Sequence, residues 1–263
     1  MAKNNSHAYK GCSSFMTDIL GWRKKFGVLG PSTNTIVQPE FDAMRPSGVT
    51  NHYSRIYTSN AQAVSNESFL AGTTIISDNV LNAVDSVMTC SPDYLVMGMS
   101  AITFYGGIEG ANNFMEKIQR ASGIGVSIGS HSTAAALHAY GNIKRIAFVS
   151  PYFSIANREV RKYFEECEFS VAHDICLECP SWTAIAEVPA DQLRKILDEL
   201  NSNEVDALVQ VGTNLCMAQL AGEVEATIKK PVIAINTATY WHALRSNGIK
   251  DKIPGFGKLL EEL

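Results

Sequence analysis

Short apolar runs that end in small polar residues recur along the chain, each leading into a stretch with helical periodicity. Phe26-Gly27-Val28-Leu29 runs into Gly30-Pro31-Ser32-Thr33-Asn34-Thr35, and Tyr94-Leu95-Val96-Met97 runs into Gly98-Met99-Ser100-Ala101. Val126-Ser127-Ile128 runs into Gly129-Ser130-His131-Ser132-Thr133 and an Ala-rich stretch that ends at Tyr140. Apolar runs this short, alternating with amphipathic segments, predict β-loop-α units, and hence an α/β fold with parallel sheets covered by helices. Between Gln192 and Asn201, Leu193, Ile196, Leu197 and Leu200 share one face at helical spacing, with the acidic residues facing out.

The pattern then repeats. Ile146-Ala147-Phe148-Val149 into Ser150-Pro151-Tyr152 matches the first run, and Ala207 to Val211 into Gly212-Thr213-Asn214 matches the second. Pro231 to Ile235 into Asn236-Thr237-Ala238 matches the third, with Asn236 set beside Ser132 and His242 beside His138. Three matched units in the same order predict an internal duplication. The expected architecture is two pseudo-duplicated halves, each a short parallel sheet of about four strands flanked by helices, with an active-site cleft between them. Residues 22–141 plus 236–263 form the first half in this reading, 142–235 the second, and 1–21 an N-terminal extension.

Composition narrows the function. Hydrophobic residues make up 46% of the 263 positions, charged residues 18%, and the formal net charge is −4. That is globular composition with no basic face for nucleic acid and no basic amphipathic helix for a membrane surface. No run nears the ~18 apolar residues of a membrane span, and residues 1–20 lack the apolar core of a signal peptide. A cytoplasmic protein with its six cysteines as thiols is expected.

In open parallel sheets a ligand sits beyond the carboxyl ends of the strands. Here those ends carry Gly, Ser, Thr and Asn, whose amides and hydroxyls donate hydrogen bonds, and helix N-termini add partial positive charge. A small anion, carboxylate or phosphate, is the expected ligand. A nucleotide is not: there is no Walker A run, and Gly123, Gly125 and Gly129 miss the dinucleotide spacing. Asn34, Ser100, Tyr152, Gly212, Thr213 and Asn214 are the candidate substrate-binding residues. Cys176-Leu177-Glu178-Cys179 is a lone CxxC away from the strand ends, and no metal site is expected from it.

At these loops the sequence resembles the aspartate/glutamate racemase superfamily, and within it the branch of arylmalonate decarboxylase and maleate cis-trans isomerase. Gly27 to Thr35 resembles the isomerase opening, whose Pro-Ser-x-Asn-Thr loop contacts a substrate carboxylate. Met97-Gly98-Met99-Ser100 followed by Phe104-Tyr105-x-Gly107 resembles the decarboxylase Met-Gly-Thr-Ser and Phe-Tyr-x-Gly stretches. Tyr152 stands where the family has a carboxylate-binding tyrosine. The resemblance runs from about Trp22 to Ile253 and implies chemistry without metal or organic cofactor.

The chain departs from the family in its thiols. Family racemases and the isomerase use a cysteine in each half, and the decarboxylase keeps the second. Here the first position is read as Ser100 and the second as Gly212 or Thr213, with Cys216 one helical turn further on. A hydroxyl without a partner base does not shuttle protons as a tuned thiol does. Ser100, His131 and Cys216 are therefore the candidate catalytic residues. The expected activity is decarboxylation of a malonate-like dicarboxylate through an enediolate held in a dioxyanion hole. Isomerisation or racemisation of a small acid, and carboxylate binding without turnover, are the alternatives. A homo-oligomer is a further possibility.

Overall fold

The computed structural model describes residues 18–60 and 65–263; of the N-terminal extension, residues 1–17 lie outside this range. The first sheet contains β1 (Lys24–Pro31), β2 (Val49–Ile56), β3 (Tyr94–Met97) and β4 (Val126–Ser127), in the order β2-β1-β3-β4. The second contains β5 (Arg145–Ser150), β6 (Ser170–Cys176), β7 (Ala207–Gln210) and β8 (Val232–Ala234), in the order β6-β5-β7-β8. Every strand pair is parallel. The central strands are apolar on both faces: Phe26, Val28 and Leu29 of β1 and Ile146, Phe148 and Val149 of β5 are all buried, as a sheet sandwiched between helices requires.

The helices are α1 (Val37–Ala43), α2 (Asn66–Met88), α3 (Gly107–Ser122), α4 (Gly129–Tyr140), α5 (Ser154–Glu166), α6 (Ala190–Leu200), α7 (Ala218–Ile228), α8 (Ile235–Ser246) and α9 (Lys258–Glu261). In α6, Leu193, Leu197 and Leu200 are buried, the face anticipated from their spacing. α8 leaves the last strand of the second sheet and packs on α4, β3, β4 and α1, so the chain returns to the first sheet.

Strand register makes the duplication exact enough to number. Leu29 pairs with Met97 and Val149 with Gln210, so Pro31 corresponds to Pro151 and Ser100 to Thr213. The third unit corrects the sequence match by two residues. Val96 pairs with Ser127 and Val209 with Ile233, which sets Asn236 opposite Ser130, not Ser132. His138 and His242 are thus not equivalent, because similar small-residue runs were aligned without the ladder that fixes register. His138 lies 4.9 Å, centroid to centroid, from Phe169, whereas the His242 ring nitrogen Nδ1 is 2.7 Å from Ser127 Oγ.

Candidate active site

The two sheets bring their strand ends together around a cavity of about 40 Å³ for water centres, some three times the minimum for one water. It suits a small acid and is far too small for a nucleotide. Asn34, Ser100, Tyr152, Gly212, Thr213 and Asn214 all line it.

Each polar group is placed by the turn that ends its strand. After β1 the chain turns at Pro31, and the Asn34 side-chain oxygen accepts from the amides of Ile36 (3.0 Å) and Val37 (2.9 Å), capping the approach to α1. The Asn34 amide nitrogen is left to donate to Thr213 Oγ1 at 3.2 Å. After β3, Ser100 sits 2.5 Å from the Tyr152 hydroxyl, a hydrogen bond between the halves, and its Oγ also accepts from the Thr213 amide at 3.2 Å. Thr213 Oγ1 donates to the Gly98 carbonyl (3.1 Å), and the Thr35 amide donates to Asn214 Oδ1 (3.0 Å). The polar cluster therefore does two jobs: it lines the cavity and ties one half to the other.

Gly212 is required by this geometry. Its φ of 107° is in the region that favours glycine, and a Cβ there would lie 2.3 Å from Pro151 Cδ. The bend aims the Thr213 amide at Ser100.

Among the described residues that line the cavity, Tyr152 alone carries an ionisable side chain. Burial pushes the Tyr152 hydroxyl well above the ordinary tyrosine value, and the hydrogen bond it shares with Ser100 offsets this only in part. Tyr152 is therefore a protonated donor at neutral pH. The Arg55 guanidinium donates to the Asn34 carbonyl at 2.7 Å, which places a cation behind the first loop.

The apolar wall was not visible in the sequence. Ile76 and Thr73 come from α2, and Trp182 and Ile185 from the connection between β6 and α6. Phe69 of α2 packs on both Tyr152 (5.4 Å) and Trp182 (5.2 Å). Gly72 lets α2 approach this closely, since a Cβ would lie 2.8 Å from the Trp182 ring. The apolar spacing of Phe69, Thr73 and Ile76 on one helix face was the available signal, but nothing in it tells a wall of the site from ordinary core.

The CxxC segment turns out to hold Tyr152. The amides of Leu177, Glu178 and Cys179 donate to the carbonyls of Ser150 (2.9 Å), Tyr152 (3.2 Å) and Pro151 (3.1 Å). Burial raises both Cys176 and Cys179 to about 11, which keeps them protonated. Among the described residues no group of three or more His, Cys, Asp or Glu could hold a metal ion, and no helix is long and apolar enough to cross a membrane.

Two candidate catalytic residues lie away from the cavity. His131 is on the first turn of α4, facing Tyr163 (6.1 Å between rings), because α4 begins at Gly129 and runs against α8 and not along the cavity. Desolvation, with the nearby His242 as a second cause, lowers its pKa from 6.5. Desolvation lowers His242 in the same way. Both imidazoles are thus half-buried in the neutral form, whereas the unfolded chain takes up protons below about 6.5. Stability is present above that pH and is lost as pH falls through the lowered folded-state values, at no more than ~1.4 kcal/mol per pH unit for each ring. The melting temperature should fall between pH 7 and pH 5, and His131→Gln should flatten that slope; an unchanged slope would remove His131 from the account.

Cys216 precedes α7 instead of lying on its first turn, and it is exposed on the other side of the loop, beside Glu40. Its pKa is raised, first by desolvation and then by the Glu40 carboxylate, the opposite of helix-terminus activation. Neither residue reaches the Ser100–Tyr152 pair.

Two facing α/β halves with a donor-lined cavity at their shared strand ends define a two-lobed cleft protein. The family follows: a sequence model of the arylmalonate decarboxylase family matches residues 57–260, and the chain belongs to that family of enzymes. It is similar to the maleate isomerase of Nocardia farcinica, 25% identical over 251 residues, covering 91% of this chain and 96% of that one. The maleate isomerase of Pseudomonas putida is likewise 25% identical, over 90% of this chain and 96% of its own. Among solved structures, a Nocardia farcinica maleate cis-trans isomerase variant with a covalently bound succinylcysteine intermediate superposes with a TM-score of 0.82 at 22% identity, covering 91% of this chain and 99% of its own. A liganded arylmalonate decarboxylase variant gives 0.77 at 18%, covering 91% and 100%.

Proposed function

We propose that the protein is a cofactor-independent lyase that decarboxylates a small malonate-like dicarboxylate. The observation that carries this reading is the meeting of Ser100, Tyr152 and the Thr213 amide at one point of a cavity otherwise walled by Met99, Ile76, Trp182 and Ile185. One carboxylate takes the hydroxyls of Ser100 and Tyr152 and those amides of the 212–214 loop that Ser100 does not engage. The other faces the apolar wall, where it loses hydration and its charge is destabilised. The bond between the α-carbon and that carboxylate breaks heterolytically and carbon dioxide leaves. The electron pair passes into the retained carboxylate, giving an enediolate whose two oxygens meet the preorganised donors. Tyr152, held protonated by burial, then delivers a proton to the α-carbon, and water restores its own.

Maleate isomerisation is the second reading, favoured by the names of the curated relatives. One isomerase structure carries a succinylcysteine, and no cysteine among the described residues lines the cavity here. Thiol addition is therefore the less supported route.

Proton NMR in deuterated water separates the two. Incubation with alkyl- and arylmalonates, maleate and aspartate is expected to give loss of a malonate with one deuterium at the α-carbon of the product. Formation of fumarate from maleate, with the malonates untouched, would replace the lyase reading by the isomerase one. Line broadening of an acid with no turnover would leave carboxylate binding alone.

A further inference from the structure

Glu40 is a buried carboxylate that neither the sequence reading nor the proposed chemistry uses. It lies on α1, 9% exposed, and reaches across to the second half. One oxygen, Oε1, accepts from the amides of Met217 and Ala218, both at 2.9 Å, at the start of α7. The other, Oε2, accepts from Asn236 Nδ2 at 2.6 Å. The same Asn236 nitrogen donates to the Thr213 carbonyl at 2.9 Å, while Asn236 Oδ1 has no partner among the described residues. A carboxylate and a carbonyl are both acceptors, so together they dictate which end of the Asn236 amide faces them. That orientation holds only while the group at position 40 is a pure acceptor.

We propose that Glu40 is a positioning residue for the anion-binding loop of the second half, acting through Asn236 on the Thr213 carbonyl and directly on the amides that follow the loop. The proposal rests on the reading of that loop as part of the site. The Thr213 carbonyl fixes the plane of the peptide that joins Thr213 to Asn214. Since that peptide is trans, the Asn214 amide is turned away from Asn236. From the other end, the Thr213 amide is aimed at Ser100. The loop between Gly212 and Met217 is thus held at its middle and at its end by one side chain from the opposite half. Burial alone would drive the Glu40 carboxyl toward its neutral form; the donors gathered around it oppose this. Burial wins, so the carboxyl sits above its ordinary value, and the case for its role rests on the contacts: each of its two oxygens accepts a hydrogen bond from the second half.

The test is Glu40→Gln in the full chain, read by kinetics on the malonate turned over best and by amide resonances of the ligand-free protein. The substituted amide presents hydrogens where Asn236 needs an acceptor, so the link to Thr213 breaks or inverts. We expect kcat to fall about tenfold or more with KM changed less than threefold, because misaimed donors cost most in the transition state. The resonances of Thr213 and Asn214 should move. Asn236→Ser removes the link without touching Glu40, should give the same pattern, and serves if Glu40→Gln fails to fold. The double variant should be no worse than the poorer single one, as expected for two groups in one chain of contacts. Full kcat per folded molecule in both single variants, or unmoved Thr213 and Asn214 resonances, overturns the proposal. If the wild type turns over no acid while those resonances move, the lyase reading falls and the positioning role stands.

Discussion

Tyr152→Phe should lower kcat/KM for the decarboxylated substrate by about 10²–10³-fold, the range for removing one oxyanion donor from a preorganised site. The hydroxyl is the only ionisable group that the described residues bring to the cavity, and it is held 2.5 Å from Ser100 Oγ. Its loss removes a donor to the enediolate and the proposed proton source together. The fold should barely notice. The ring would keep its packing on Phe69, and Ser100 Oγ would keep the Thr213 amide, so the expected cost in stability is about 1 kcal/mol. Measured side by side, kcat/KM and the melting temperature should therefore part company. A variant with more than a third of wild-type activity would remove Tyr152 from the chemistry and return the proton to solvent.

That separation depends on the candidate binding residues, which line the cavity, and the reasons why some positions were legible and others were not differ. Asn34, Ser100, Tyr152, Gly212, Thr213 and Asn214 were legible because each follows directly from the end of a central parallel strand. In this architecture the strand end alone points a residue at the cleft. Residues one turn further on were not legible. Whether His131 or Cys216 faces the cleft depends on where α4 and α7 begin and what they pack against, and both are long-range facts. Cys216 is exposed, and the segment that follows it is held by Glu40, which takes the amides of Met217 and Ala218, 177 and 178 residues further along the chain. The apolar wall failed for the same reason: Ile76 and Trp182 meet only after two halves fold together across Gly72. The duplication itself was legible, but its third unit slipped by two residues, since small residues repeat within it and hydrogen-bond register is not written in composition.

The glycine at position 212 joins fold and site most tightly, and Gly212→Ala should damage both. An L-residue at a φ of 107° is strained, and the added Cβ would lie 2.3 Å from Pro151 Cδ and 2.5 Å from Pro151 Cγ. Backbone strain of this kind costs about 1–3 kcal/mol, and the overlap with a buried ring adds to it. A total near 3 kcal/mol corresponds to a fall of roughly 6–12 °C in melting temperature for a chain of this size. Relief has two routes, and both cross the site. Rotating φ swings the Thr213 amide off Ser100 and pulls the Gly212 carbonyl from Gln210 Nε2, which donates to it at 2.7 Å. Pushing Pro151 away instead moves Tyr152, its neighbour, off Ser100. Activity of the folded remainder should then fall at least as far as in Tyr152→Phe, and a liganded wild type should be protected from heat where the variant is not. Differential scanning calorimetry with and without the substrate acid measures both effects at once. A variant that melts within 2 °C of the wild type would mean the turn at Gly212 tolerates a side chain, and the account of how the second loop is aimed at Ser100 would have to change.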